Sequence, residues 1–152
     1  MAETSERPKW GPILVGTDGS DDANRAVDYA GALTAELKTQ LWIIHVTHGT
    51  AANAAEYARA EKASIGDATE EIVRRLLSEG ARRASAAGAK EIHTMTREGD
   101  YAEGIIGAAH EVGATAIFVG RRGIGGRLTQ ALIGSVSQKL AGISPLLLVI
   151  VP

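Results

Sequence analysis

Gly120, Gly123, Gly125, Gly126 and Gly134 fall between an apolar run and a helix-like stretch, with Ser135 and Ser137 directly after the last of them. These residue types suit phosphate. Glycine lets main-chain N–H groups approach anionic oxygens with no Cβ in the way, a helix start presents unpaired N–H donors, and serine hydroxyls add short ones. The same composition also describes a surface loop ended by a serine cap, so the glycines alone leave both readings open. Arg121, Arg122 and Arg127 share this stretch, either as solvated cations or as partners of a phosphate. Asp18 follows a second apolar run, in the order ILVGT then DGSD, where it is a ligand-binding carboxylate or a turn residue. Asp21 and Asp22 more simply favour a helix start through its dipole than form an acid and base pair.

Several chemistries are missing from the sequence. His45, His48, His93 and His110 show no metal-ligand spacing and read as structural or solvated. Neither G-x-x-x-x-G-K-[ST] nor G-x-S-x-G occurs, and Gly123, Gly125 and Leu128 miss the last glycine of a dinucleotide fingerprint. The absence of cysteine excludes a disulfide framework, a thiolate metal site and a cysteine nucleophile, and fits a reducing compartment. Sixteen basic against eighteen acidic residues, a formal charge of -2, indicate neither a nucleic-acid face nor an acidic tail, so a phosphate must be held locally. With 4% aromatic residues, the stacking platforms of single-strand binders are not expected. MAETSERPKWGP lacks the apolar core of a signal peptide, and no run approaches the roughly 20 apolar residues of a membrane span. A cytoplasmic protein with no membrane or nucleic-acid partner is expected.

The elements that must position these groups follow from periodicity. Apolar runs at 13–17, 41–46, 114–120 and 146–151 read as strands, 41–46 as one covered on both faces, and the more alternating 91–96 reads as a strand nearer an edge. Between them, Ala23 to Leu37 and Ile72 to Ala84 keep a helical period, the latter ending near Gly88. Asp100 and Glu103 have capping-box spacing ahead of Ile105, Ile106, Ala109 and Val112, and 134–143 reads as a helix closing before Pro145. Strands alternating with helices imply an α/β fold, a doubly wound five-stranded parallel sheet with helices on both faces. Its 152 residues suit one domain, with 1–12 flexible and 48–66 a mobile or partly helical insertion. In such sheets ligands sit beyond the carboxyl ends of the strands, where the winding reverses. Asp18 and Gly120 would then share a crevice.

These features together resemble the ATP-binding universal stress proteins. That family carries Gly, two residues, Gly, nine residues, then Gly and Ser or Thr. Here Gly120, Arg121, Arg122 and Gly123 are followed by ten residues, then Gly134 and Ser135. ILVGTDGS, IIHV, EVGATAIFVGRRG, GSVSQKL and SPLLLVIV match its other landmarks, so the resemblance spans nearly the whole chain from Ile13. It implies a Rossmann-like adenine-nucleotide fold and a pocket for ATP, with or without Mg²⁺. Gly16, Thr17 and Asp18 would lie at the end of the first strand, with Asp18 and the Val46 backbone near the adenine. Gly120, Arg121 and Gly123 would lie along the ribose and phosphates, and Gly134, Ser135, Val136 and Ser137 would cradle the triphosphate. A proline often found at the start of the family's third helix is replaced here by Tyr101.

Three functions are consistent with this resemblance: a nucleotide-responsive regulatory or stress-response module, a slow ATP hydrolase, and a nucleotide-independent interaction protein. No recognisable base or acceptor site for dedicated catalysis is visible. The wholly apolar run 146–151 should form an edge strand, where free backbone groups invite pairing. Either the chain's own helices cover both of its faces while the N-terminal segment or Pro152 shields the edge, or two copies pair there as a homodimer, as the resemblance implies.

Overall fold

A computed structural model describes residues 6–47, 59, 65–124 and 133–152. Five parallel strands, β1 (Ile13–Gly16), β2 (Leu41–Val46), β3 (Ile92–Arg97), β4 (Ala116–Gly120) and β5 (Leu147–Val151), form one sheet in the order β3-β2-β1-β4-β5. The connections carry α1 (Asp21–Leu37), α2 (Ile65–Ala86), α3 (Tyr101–Val112) and α4 (Ser135–Ile143). This is the expected doubly wound α/β arrangement, with boundaries shifted by one or two residues at most strands. The expected insertion at 48–66 lies outside the described residues, apart from a helical Arg59 and the start of α2. Of the stretch expected to be flexible, Gly11 donates its N–H to Thr115 Oγ1 (3.1 Å), and Pro12 accepts from the Thr115 N–H (2.8 Å).

Strand alternation divides the core into two layers. Ile13, Val15, Ile43, Ala116 and Phe118 face α1 and α2, where Ala26, Val27, Ala30 and Ala84 bury their small side chains. Leu14, Ile44, Val46, Ile117 and Val119 face α3 and α4, against Ile105, Ala108, Ala109 and Leu140. The small residues bring α1 and α2 close together: a Cβ on Gly31 would lie 3.0 Å from the Ala84 backbone.

The helices start and stop where local chemistry dictates. Ser20 caps α1 by accepting the Ala23 N–H (3.3 Å), and Asp100 caps α3 by accepting the Glu103 N–H (3.0 Å), as its spacing predicts. Gly88 and Gly113 take positive φ just after α2 and α3. The α4 helix differs: Gly134 stands at its N-cap with no side-chain hydrogen bond.

The edge strand β5 corrects one expectation. Leu147 and Val149 are 61% and 39% exposed, so the chain's own helices do not cover both faces. The reason lies in the position of α1. It packs over β1 and β4, reaching β5 only near its end, where Arg25 Nε donates to Pro152 O (2.7 Å) and Val151 is buried. Leu148 and Ile150 point the other way and pack against the α3 and α4 layer.

Candidate functional site

The winding reverses between β1 and β4, and there the strand ends open onto a cavity of about 380 Å³. Its floor is apolar: Ile44 and Val46 from β2, Val119 from β4 and Ile105 from α3. At one side stands the turn after β1. Thr17 extends the strand by donating its N–H to Ile44 O (2.9 Å), and its Oγ1 accepts the Gly19 N–H (3.2 Å). Gly19 has φ +79°, a conformation that favours glycine, and this lets the chain reverse into α1.

Asp18 ties this turn to the loop after β4. Its Oδ1 accepts the Ser20 N–H (2.9 Å) and its Oδ2 the Ile124 N–H (3.1 Å). Ser20 Oγ donates to Arg122 O (3.3 Å), and the Asp22 carboxylate accepts the Arg122 N–H (3.1 Å). The two segments therefore form one braced wall.

The opposite end is the start of α4. Gly134 donates its N–H to Arg121 O (2.7 Å), which folds the chain back so that the first turn of α4 borders the cavity. With no side-chain cap, that turn is suited to an anion, because its first N–H groups have no intrahelical acceptor. Asp18 is the one carboxylate and Arg122 the one Arg or Lys among the described residues lining the cavity.

Ten of the eleven expected site residues line it: Gly16, Thr17, Asp18, Val46, Gly120, Gly123, Gly134, Ser135, Val136 and Ser137. Arg121 is not among the lining residues. Its backbone N–H donates to Val151 O (2.7 Å), continuing the β4 to β5 ladder, and Arg122 faces the cavity instead. Arg127, Gly125 and Gly126 lie outside the described residues.

The glycines serve close packing as much as ligand access. A Cβ on Gly120 would lie 2.6 Å from Ala23 N and 2.7 Å from Asp22 C, so the first turn of α1 occupies that space. A Cβ on Gly123 would lie 2.8 Å from Asp18 Oδ2, and one on Gly134 3.2 Å from Arg121 O. Ser137 is buried and donates its hydroxyl to Gly120 O (2.6 Å), which pins α4 to the end of β4, whereas Ser135 is exposed at the cavity mouth.

Sequence reasoning did not place His45 and Tyr101 in this site. His45 is 4% exposed, and its Nδ1 lies 2.8 Å from Thr17 O, so Nδ1 carries the proton and steadies the same turn. A structural role for this histidine was the expectation, and its signal was its place in an otherwise apolar strand. Tyr101 opens α3. Burial, and secondarily the charge of Asp18, hold its phenol above the ordinary tyrosine range.

A parallel α/β sheet with a polar-walled crevice at its switch point belongs to the doubly wound class of domains, which take ligands beyond the carboxyl ends of their strands. The model of the universal stress protein family matches residues 9–152. Universal stress protein YxiE of Bacillus subtilis (strain 168) is 32% identical over 144 residues, covering 90% of this chain and 97% of its own. Universal stress protein Rv1636 of Mycobacterium tuberculosis is 29% identical over 131 residues, 84% of this chain and 88% of its own. Among solved structures, a universal stress protein in complex with cAMP aligns with a TM-score of 0.68 at 28% identity, over 95% of this chain and 98% of its own. The chain belongs to the universal stress protein family. A dAMP complex from Archaeoglobus fulgidus, 21% identical over 95% of this chain and 100% of its own, shares the fold with a TM-score of 0.67. Among the described residues no helix is long and apolar enough to cross a membrane, and no group of three or more His, Asp or Glu could hold a metal.

Proposed function

We propose that the protein binds an adenine nucleotide, ATP in particular, in the crevice between β1 and β4, and acts as a nucleotide-responsive module of the stress response. The observation that carries this reading is a cavity with an apolar floor and an uncapped helix start at one end. An apolar floor suits a base, and free N–H groups suit phosphate. β1 ends with Gly16 opposite Ile44, two residues before the end of β2, so the β1-facing edge of Val46 has no strand opposite it. That edge and Asp18 are the polar partners for the adenine rim. The phosphates then run past Gly123 and Arg122 to the first turn of α4, where Ser135 adds a hydroxyl. Ser137 acts through the helix it anchors. The bound cAMP of the 28% identical relative supports an adenine ligand. With one lining carboxylate among the described residues, any Mg²⁺ would be held chiefly by the triphosphate oxygens.

The exposed apolar face of β5 supports the second part of the proposal, a homodimer in which two β5 edges pair about a twofold axis. Calorimetric titration with ATP, ADP, AMP and cAMP, with and without Mg²⁺, tests the ligand. Saturable binding that strengthens with phosphate number is expected, and no heat with any of the four would overturn the reading. Phosphate release above the no-protein rate would add slow hydrolysis.

A further inference from the structure

The chain has one Phe, three Tyr and two Trp, and of the described ones only Tyr101 lines the cavity. The others are placed elsewhere. Phe118 is buried in the α1 and α2 layer, Trp42 stacks on His93 with ring centroids 4.4 Å apart, and Tyr29 lies exposed on α1. Tyr101 is the first residue of α3, directly after its Asp100 cap, a position where helix formation makes no demand for an aromatic ring.

What holds the ring there is tertiary structure. The α3 helix lies close on β2: a Cβ on Gly104, one turn along from Tyr101, would sit 3.1 Å from the Val46 side chain. On its other side, Lys139 of α4 reaches Asp100 Oδ1 (3.1 Å) and Glu103 Oε1 (3.8 Å). The start of α3 is thus clamped between the end of β2 and α4, and Tyr101 packs partly buried against the layer that holds Ile44, Val46 and Ile105. The raised phenol, lifted by burial and then by Asp18, agrees with a ring turned inward near that carboxylate. The cavity therefore has an aliphatic floor and one aromatic wall, both beside the free edge of Val46.

We infer that Tyr101 is the specificity-determining residue of this cavity, its ring stacking on the base of the ligand and favouring a purine. This rests on the nucleotide reading above and goes beyond it by assigning the base to one side chain. A flat ring system against an aromatic face gains dispersion and quadrupole complementarity that an aliphatic wall of similar volume does not supply. The gain acts on the base alone and is independent of phosphate number.

The test compares wild type with Tyr101→Phe, Tyr101→Trp and Tyr101→Leu by calorimetric titration with adenosine, AMP, ATP and cytidine. Tyr101→Phe and Tyr101→Trp should hold all three adenine ligands within about threefold of wild type. Tyr101→Leu should lose roughly 5- to 100-fold, equally for adenosine, AMP and ATP, and should narrow the margin of adenosine over cytidine. Urea denaturation without ligand checks that each variant folds; if Tyr101→Leu does not, agreement of Phe and Trp with wild type, and quenching of the introduced indole by adenosine, carry the test. Wild-type affinity in folded Tyr101→Leu would overturn the inference while leaving nucleotide binding intact. A loss that grows from adenosine to ATP would do the same, placing Tyr101 at the phosphates. A wild-type chain that binds none of the adenine ligands would overturn the nucleotide reading and this inference with it.

Discussion

Gly120→Ala separates two reasons for a glycine at the head of the loop. If the residue served only to let backbone meet phosphate, alanine would weaken binding and leave the ligand-free protein as stable as before. The geometry says otherwise. The new Cβ would stand 2.6 Å from Ala23 N and 2.7 Å from Asp22 C, both backbone atoms that no rotamer change can move. Ordinary contact begins near 3.4 Å, so the first turn of α1 must retreat from β4 by about 0.8 Å. That turn is fixed by the buried Ala23 and Ala26, and by the bond from Arg122 N–H to Asp22. Forcing such a retreat in a packed core costs about 1–3 kcal/mol. At roughly 2–4 °C per kcal/mol for a domain of this size, the midpoint of thermal unfolding should fall by about 2–12 °C without any nucleotide present. Gly107→Ala is the control. It lies exposed within α3 with nothing near its Cβ position, and alanine there should stabilise by about 0.5–1 kcal/mol. Thermal and urea unfolding of the ligand-free variants measure both, and an unchanged midpoint in Gly120→Ala would refute the packing argument.

Ser137→Ala should lower ligand-free stability by about 1–2 kcal/mol in urea titration, because it leaves the half-buried Gly120 carbonyl without its 2.6 Å partner. Ser135→Ala should leave stability unchanged and weaken ATP more than AMP in calorimetry; equal losses would place Ser135 away from the outer phosphates. The Asp100 carboxyl is held below its ordinary 3.8, first by the Glu103 N–H and then by Lys139, so the folded protein binds its proton less readily than the unfolded chain. Its contribution to stability is therefore full above the unfolded value and is lost as pH falls through the lower folded value; the difference in urea midpoint between wild type and Asp100→Asn should shrink only below about pH 4, and a difference that vanishes by pH 6 would contradict it. For the proposed dimer, Leu147→Lys and Val149→Lys place charge on the exposed face of β5 and should yield monomer in sedimentation velocity, whereas a wild type that is monomeric at micromolar concentration would refute the pairing.

The strands and helices were legible from residues 13 to 46 and 72 to 151 because burial on a sheet or helix leaves a period of two, or of three to four, in the chain itself. The Asp100 cap was legible for a related reason, since it reaches only three residues along the chain. The crevice joining Asp18 to Gly120 followed from the alternation of strand and helix, which leaves few ways to wind a parallel sheet. What spacing could not express is contact between residues distant in sequence. The Gly120 Cβ position is filled by Asp22 and Ala23, residues about a hundred places away, and nothing in RRGIGG announces it. Ser135 and Ser137 are equivalent as letters, yet the turn of α4 sends one to the cavity mouth and buries the other against Gly120. Arg121 and Arg122 are likewise indistinguishable until Arg121 extends the β4 to β5 ladder and the chain then turns Arg122 into the crevice. Tyr101 was visible only as a departure at the head of a helix, and it became part of a wall once α3 was clamped between β2 and α4. Local periodicity records which way a side chain faces within its own element; which neighbour it meets depends on how those elements pack in three dimensions.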